Sequence, residues 1–272
     1  MNFSKGRVAL SILGALAMSL SGALATTLRI MPLGDSNTQA PAGTPGGYRL
    51  EEYKILTDAG FIVDFVGSRT ENPALELNGE VEHEGIPGIS INGLATGLTQ
   101  KQTLKTFQPE YIQLMIGTND VNQTLPGVET PEGAADRLDA LVNQITLESP
   151  NAILLVASIP PFYGRDYYWT AYGAPYNAAI PGIVSKYSAM GRNVQFVDVY
   201  AALSYADFEG GDGVHMLQSG YDKIGIAFAN AIIAVPEPSV TKLLLVAGGG
   251  GLLIFLALRG WRRLRAKSAN AS

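Results

Sequence analysis

The chain has 272 residues, a formal net charge of −5 and no cysteine, which excludes disulfides and thiolate metal sites. All 24 acidic residues lie between residues 26 and 239, while eight of the 19 basic residues sit in the tails on either side. A middle section this acidic repels phosphate backbones and argues against nucleic acid as a partner.

Lys5 and Arg7 precede an apolar run over residues 8–24, and Ala23-Leu24-Ala25 has the small-x-small form of a cleavage site. That is the layout of a secretory signal, so residues 1–25 are expected to be removed on export. Residues 26–234 have a length suited to one domain with a sizeable core. The predicted elements alternate. A strand over 27–33 is followed by a helix over 48–59, a strand over 61–66 and a helix over 91–107. Then come a strand over 111–116, a helix over 131–147 and a strand over 152–159. A helix over 176–190, a strand over 194–199 and a helix over 219–234 complete the domain. The strands are near-continuous apolar runs, as befits strands buried on both faces. In the third helix Leu138, Leu141, Val142 and Ile145 recur at helical spacing, and Thr130-Pro131 offers a cap and a first-turn proline. Such alternation implies an α/β fold with a parallel sheet of about five strands and helices on both faces. Ligands of such sheets bind beyond the carboxyl ends of the strands.

Three polar segments fall at those ends. Gly34-Asp35-Ser36-Asn37 follows the first strand, Gly117-Thr118-Asn119-Asp120 the third, and Asp212-Gly213-Val214-His215 the fifth. Each residue type is at home in a turn, but their convergence at one edge points to chemistry. A serine hydroxyl needs a base to become a nucleophile, and histidine is the natural one near neutral pH. His215 has a carboxylate three residues before it, so a loop can fold Asp212 onto one ring nitrogen and leave the other for Ser36. This gives the Ser-His-Asp roles in the chain order Ser, Asp, His. The other histidine, His83, lies in the acidic stretch Val81-Glu82-His83-Glu84, where a structural or surface role is expected. An oxyanion needs donors, and three candidates are the backbone N–H of Ser36, the backbone N–H of Gly88 and the side-chain amide of Asn119.

Gly34-Asp35-Ser36, Gly88, Gly117-Thr118-Asn119-Asp120 and Asp212-x-x-His215 resemble, in order, the four blocks of the SGNH (GDSL-like) hydrolases. The resemblance implies a flavodoxin-like three-layer α/β/α sandwich. It also implies Ser36 as nucleophile, Gly88 and Asn119 completing the oxyanion hole, and Asp212 with His215 as the rest of the triad. Asn37 departs from the pattern, where isoleucine or leucine is commoner. Ile30-Met31-Pro32-Leu33-Gly34-Asp35-Ser36, Gly46-Gly47-Tyr48-Arg49, Val63-Asp64-Phe65-Val66-Gly67-Ser68 and His83-Glu84-Gly85 further resemble the acetylxylan-esterase branch, carbohydrate esterase family three. Ile86 and Ile89 depart from that branch, where histidine and tryptophan are expected.

An aromatic stretch, Phe162-Tyr163-Gly164-Arg165-Asp166-Tyr167-Tyr168-Trp169, follows the fourth strand on the catalytic side. Aromatic faces pack on the apolar faces of sugars, so Tyr163, Tyr167 and Trp169, with Asp35 beside the serine, are the candidate substrate-binding residues. A loop packed on itself is the alternative for this stretch.

Residues 235–272 form a tail of three parts: Pro236-Glu237-Pro238, an apolar run of 16 residues over 243–258 read as a helix, and a cluster with Arg259, Arg262, Arg263 and Arg265. About 24 Å long as a helix, that run is close to the thickness of a bilayer core, and the cluster favours the cytoplasmic side. The tail resembles a PEP-CTERM sorting signal. This implies an exosortase-type processing enzyme as a partner, at least transient contact with the membrane, and an exported, surface or periplasmic location. The expected function is an exported esterase acting on short acyl groups of a carbohydrate, without metal or cofactor. The alternatives are a lipase-like or thioesterase-like hydrolase of longer acyl chains, and an inactive surface protein that binds glycans.

Overall fold

A computed structural model describes residues 26–122, 129–208 and 210–235, and the backbone of 244–248 and 251–255. Five parallel strands form the sheet: β1 (Thr27–Gly34), β2 (Ile62–Phe65), β4 (Tyr111–Met115), β5 (Ile153–Ala157) and β6 (Val194–Val197). Their spatial order is β2-β1-β4-β5-β6, and a two-residue strand, β3 (Glu84–Gly85), pairs with the last two residues of β1. The expected three-layer α/β architecture is what the chain adopts.

Side chains alternate between the two faces of each strand. Met31, Leu33, Ile112, Leu114, Leu154 and Val156 face one core. It is covered by α3 (Ile91–Lys101), α6 (Ala134–Glu148) and α8 (Ala174–Ala189). Ile30, Phe65, Met115, Leu155 and Val197 face the other core, covered by α2 (Tyr48–Asp58) and α9 (Gln218–Ile233). The short helices α1 (Ser36–Gln39), α4 (Thr103–Phe107), α5 (Thr118–Asn122) and α7 (Asp166–Tyr168) complete the sequence.

The apolar strands carry a polar exception. Gln113 in β4 is fully buried and donates through Nε2 to Glu52 Oε1 of α2. Burial pushes the Glu52 carboxyl up to about 8, against the opposing pull of Gln113 and Arg49. At neutral pH it is therefore protonated, which avoids an ionised carboxylate in an apolar layer.

Three expectations change. The helix over 91–107 is two helices, because Gln102 adopts a left-handed conformation (φ 50°) and its N–H closes on Leu98 and Thr99. The helix over 131–147 starts at Ala134 with Gly133 (φ 76°) before it, and Pro131 instead accepts the Ala134 N–H in a preceding turn. The apolar run over 243–258 contains an antiparallel hairpin, Leu244–Gly248 with Gly251–Phe255, in place of a helix. The run holds four consecutive glycines in sequence, residues 248–251, and each costs a helix about 1 kcal/mol relative to alanine. Among the described residues no helix is long and apolar enough to cross a membrane. Residues 1–25, the Pro-Glu-Pro segment and the arginine cluster lie outside the described residues.

Candidate active site

The carboxyl end of β1 is shaped by close approach. A Cβ on Gly34 would lie 2.0 Å from Met115 O and 2.4 Å from Thr38 Oγ1, so only glycine fits. Asp35 then caps α1, its Oδ1 accepting the Asn37 N–H at 2.9 Å. Asp35 is 1% exposed, which differs from the substrate-contacting role expected of it. Burial pushes its carboxyl up to about 6, opposed by the Asn37 N–H, the charge of His215 and the Thr118 hydroxyl. Its Oδ2 has no hydrogen bond of good geometry among the described residues, so the Thr118 contact is electrostatic proximity more than a formed bond. The cap presents Ser36 half-buried at the sheet edge.

The segment that meets it comes from 179 residues away. Asp212 Oδ1 accepts the N–H groups of Val214 (2.9 Å) and His215 (2.8 Å), and Oδ2 lies 2.6 Å from His215 Nδ1. The carboxylate thus folds its own loop and orients the ring. Partial burial works to raise the Asp212 carboxyl, but the two N–H bonds and the His215 ring outweigh it and leave it below its ordinary range. An ionised Asp212 fixes the proton on Nδ1, leaving Nε2 as acceptor, and Nε2 stands 2.8 Å from Ser36 Oγ.

Asp207, 2% exposed, anchors this loop from below. It accepts from Ser204 N–H (2.8 Å), Ser204 Oγ (3.0 Å), Ser219 Oγ (3.1 Å) and Lys223 Nζ (2.7 Å), and its carbonyl takes the Leu217 N–H (2.7 Å). It ties the segment before Asp212 to the helix after His215. Sequence reasoning missed it, because its partners lie on both sides of the loop.

Hydrogen bonds tie the segments of the oxyanion candidates to the end of β1. The Ile86 N–H donates to Gly34 O at 3.0 Å, fixing the Gly88 turn (φ 75°) to the end of β1. Asn119 Nδ2 donates to Ile89 O at 3.0 Å, joining the third block to that same turn. Its second amide hydrogen has no partner among the described residues. Asp120 accepts from the Ile91 N–H at 3.1 Å and from Arg137 Nε at 3.0 Å, and Arg137 Nη2 forms an ion pair with it at 3.0 Å. Burial raises its carboxyl despite Arg137 and the Ile91 N–H.

The aromatic residues divide. Trp169 stacks on Tyr200 (5.3 Å between centroids) and meets Phe162 edge-on (5.2 Å), so much of it is committed to internal packing. Tyr163 donates its N–H to Gly213 O at 2.7 Å, bracing the loop of Asp212 and His215, while its ring packs on Tyr205 and Phe208. A Cβ on Gly213 (φ 78°) would fall 2.7 Å from Tyr163 O. Tyr167 is 69% exposed in a cluster with Tyr168 and Tyr172. His83 is buried: the Gly85 N–H donates to Nδ1 and Nε2 lies 3.0 Å from Glu71 O, so it holds the β3 turn. Among the described residues no three His, Asp or Glu side chains stand together as a metal site requires.

The chain is similar to a multidomain esterase of Ruminococcus flavefaciens, 31% identical over 222 residues that cover 74% of this chain and 28% of that protein. It spans less than half the length of the curated relatives it matches. Among solved structures it resembles a Clostridium thermocellum family 3 carbohydrate esterase at 33% identity and a TM-score of 0.62, covering 76% of this chain and 99% of the other. An acetyl esterase solved with an acetate ion is similar at 25% identity and a TM-score of 0.62, covering 76% and 96%. The GDSL-like Lipase/Acylhydrolase family matches residues 33–223. That match runs from the last turn of β1 through the loop of Asp212 and into α9, so the sheet edge just described and the sequence agree: the chain belongs to the GDSL-like lipase/acylhydrolase family.

Proposed function

We propose that the protein is an exported serine esterase that removes short acyl groups, acetyl above all, from a carbohydrate. The observation that carries this reading is the hydrogen-bonded chain from Ser36 Oγ through His215 to Asp212, at 2.8 and 2.6 Å. Ser36 Oγ attacks the acyl carbon as His215 Nε2 takes its proton. The oxygen that becomes negative is held by the N–H groups of Ser36 and Gly88 and the second amide hydrogen of Asn119. His215 then returns the proton to the departing sugar hydroxyl. Water, deprotonated by the same nitrogen, cleaves the acyl-serine and releases the carboxylic acid. Asp212 holds the ring and offsets its transient positive charge.

The acyl group is argued from the similar proteins, which include carbohydrate and acetyl esterases. The test is a series of p-nitrophenyl esters from acetate to dodecanoate, with acetate release from acetylated xylan measured beside it. The expected result is kcat/KM falling as the chain lengthens, with acetate released from the polymer. A rise with chain length and no acetate release would favour a lipase-like enzyme, since each buried methylene adds about 0.8 kcal/mol.

Export rests on the two terminal segments, and the C-terminal one further suggests processing by an exosortase-type enzyme. Mass spectrometry of secreted or surface material is expected to find no peptides after about Ser239. Intact peptides containing Trp261 in that material would overturn the processing.

A further inference from the structure

The loop after β6 returns to the sheet edge bearing two aromatic side chains with no place in the core. Tyr200 is 41% exposed and Tyr205 is 64% exposed. Both are nevertheless backed by rings. Tyr200 lies nearly parallel to Trp169, at 27° between planes, and Trp169 is itself braced by Phe162. Tyr205 stands edge-on to Tyr163, 4.9 Å between centroids, and Tyr163 rests on Phe208. Phe162 and Tyr163 are adjacent in the chain, so the two backed rings share one support. Core packing does not require an exposed ring, and solvation alone would favour a small polar side chain. Rings held by other rings, however, lose little freedom when something binds them.

The surroundings restrict the occupant. Asp198 and Asp212 lie exposed on the same stretch of chain, and the charge of Lys223 is offset by Asp207. An anionic ligand is therefore disfavoured, and a long acyl chain would leave the phenol hydroxyls unused. A neutral sugar ring offers a flat face of C–H bonds to an aromatic ring and hydroxyls to the phenols. The supporting ring is tied to the candidate active site, because the Tyr163 N–H donates to Gly213 O between Asp212 and His215.

We propose that Tyr200 and Tyr205 form an aromatic ridge that binds the sugar residues flanking the acylated one on a neutral polysaccharide. This rests on the reading of the protein as a carbohydrate esterase and adds a subsite beyond its chemistry. It assigns Tyr163 and Trp169 to the support of the ridge and Tyr200 and Tyr205 to the contact.

The test uses two measurements. Calorimetry with Ser36→Ala protein gives affinities for xylobiose, xylohexaose and acetylated xylan without turnover. Affinity is expected to rise with chain length, and adding Tyr200→Ala with Tyr205→Ala to weaken xylohexaose binding about tenfold, or about 1.4 kcal/mol. In the active protein the same pair is expected to lower the ratio of kcat/KM on acetylated xylan to that on p-nitrophenyl acetate by a similar factor. Tyr200→Phe with Tyr205→Phe, which keeps the rings, is expected to retain more than half of the binding. Affinity independent of chain length, or an unchanged ratio in the alanine variant, overturns the ridge. Length-dependent binding by a protein that cleaves neither ester would keep the ridge and overturn the esterase reading.

Discussion

Ser36→Ala is expected to lower kcat on p-nitrophenyl acetate by about 10⁴–10⁶-fold, with an unchanged melting temperature. Ser36 is half-buried and its side chain contributes one hydrogen bond, to His215, so the fold does not depend on it. His215→Ala is expected to have a similar effect, and the double variant to be no worse than either, because the two side chains act as a unit. Asn119→Ala is expected to cost less, about 10²–10³-fold in kcat, the usual effect of one oxyanion donor. Steady-state kinetics beside circular dichroism separates chemistry from folding. Turnover of Ser36→Ala within tenfold of the unaltered protein would remove the proposed mechanism.

The largest effect on stability is expected at Asp120. Its carboxylate is fully buried, and the Arg137 side chain it holds is 15% exposed. Removing it leaves the Arg137 guanidinium with the Thr130 and Glu132 carbonyls but without its buried carboxylate, and frees the Ile91 N–H at the start of α3. Breaking a buried pair from one side costs about 3–5 kcal/mol. For a domain of this size that corresponds to a fall of roughly 10 °C in melting temperature. Asp120→Asn, which keeps the shape and loses the charge, is expected to lie between. The pair's carboxyl is raised by burial in spite of Arg137, so the attraction does not fully offset the lost solvation. The damage in Asp120→Ala therefore comes mainly from the groups left behind, the Ile91 N–H and the Arg137 charge. A loss below about 1 kcal/mol by denaturant unfolding would show that the site relaxes and the pair is dispensable. Activity is expected to fall as well, because Asn119 and the Gly88 turn adjoin the same anchor.

Much of this arrangement is legible in the sequence, for identifiable reasons. A strand buried on both faces has to be apolar almost throughout, so β1, β4 and β5 stand out as runs, and the part-exposed edge strands β2 and β6 still carry enough apolar residues to be found. Asp212 and His215 are legible because one carboxylate can take both the loop's N–H groups and the ring at that spacing. Other features leave no such trace. Gln102 adopts a left-handed backbone without being glycine, so the break between α3 and α4 is hidden. Two-residue β3 is too short to show periodicity. Asp35 reads as a substrate-binding carboxylate beside the serine, and only the fold shows it buried as the cap of α1. Tyr200 and Tyr205 lie in a loop, where tyrosine has no pattern, and their stacking partners come from the loop after β5. The apolar run near the C-terminus reads as a helix by length, and its four glycines are the signal that favours a turn.

The 179-residue separation of Ser36 from His215, and the packing of α9 against α2, bear on how the protein is made. Tyr48 of α2 packs on Phe228 of α9 with ring centroids 5.2 Å apart, and Gly225 comes so close that a Cβ would lie 2.4 Å from Tyr48 O. A ribosome adding about 5–20 residues per second leaves an interval on the order of 10 s between the emergence of α2 and that of α9. Throughout it, the apolar side of α2 and β1 has nothing to cover it. The nascent chain therefore carries an uncovered apolar face through much of its synthesis, and His215 cannot reach Ser36 until the segment just before the last helix of the domain has been added.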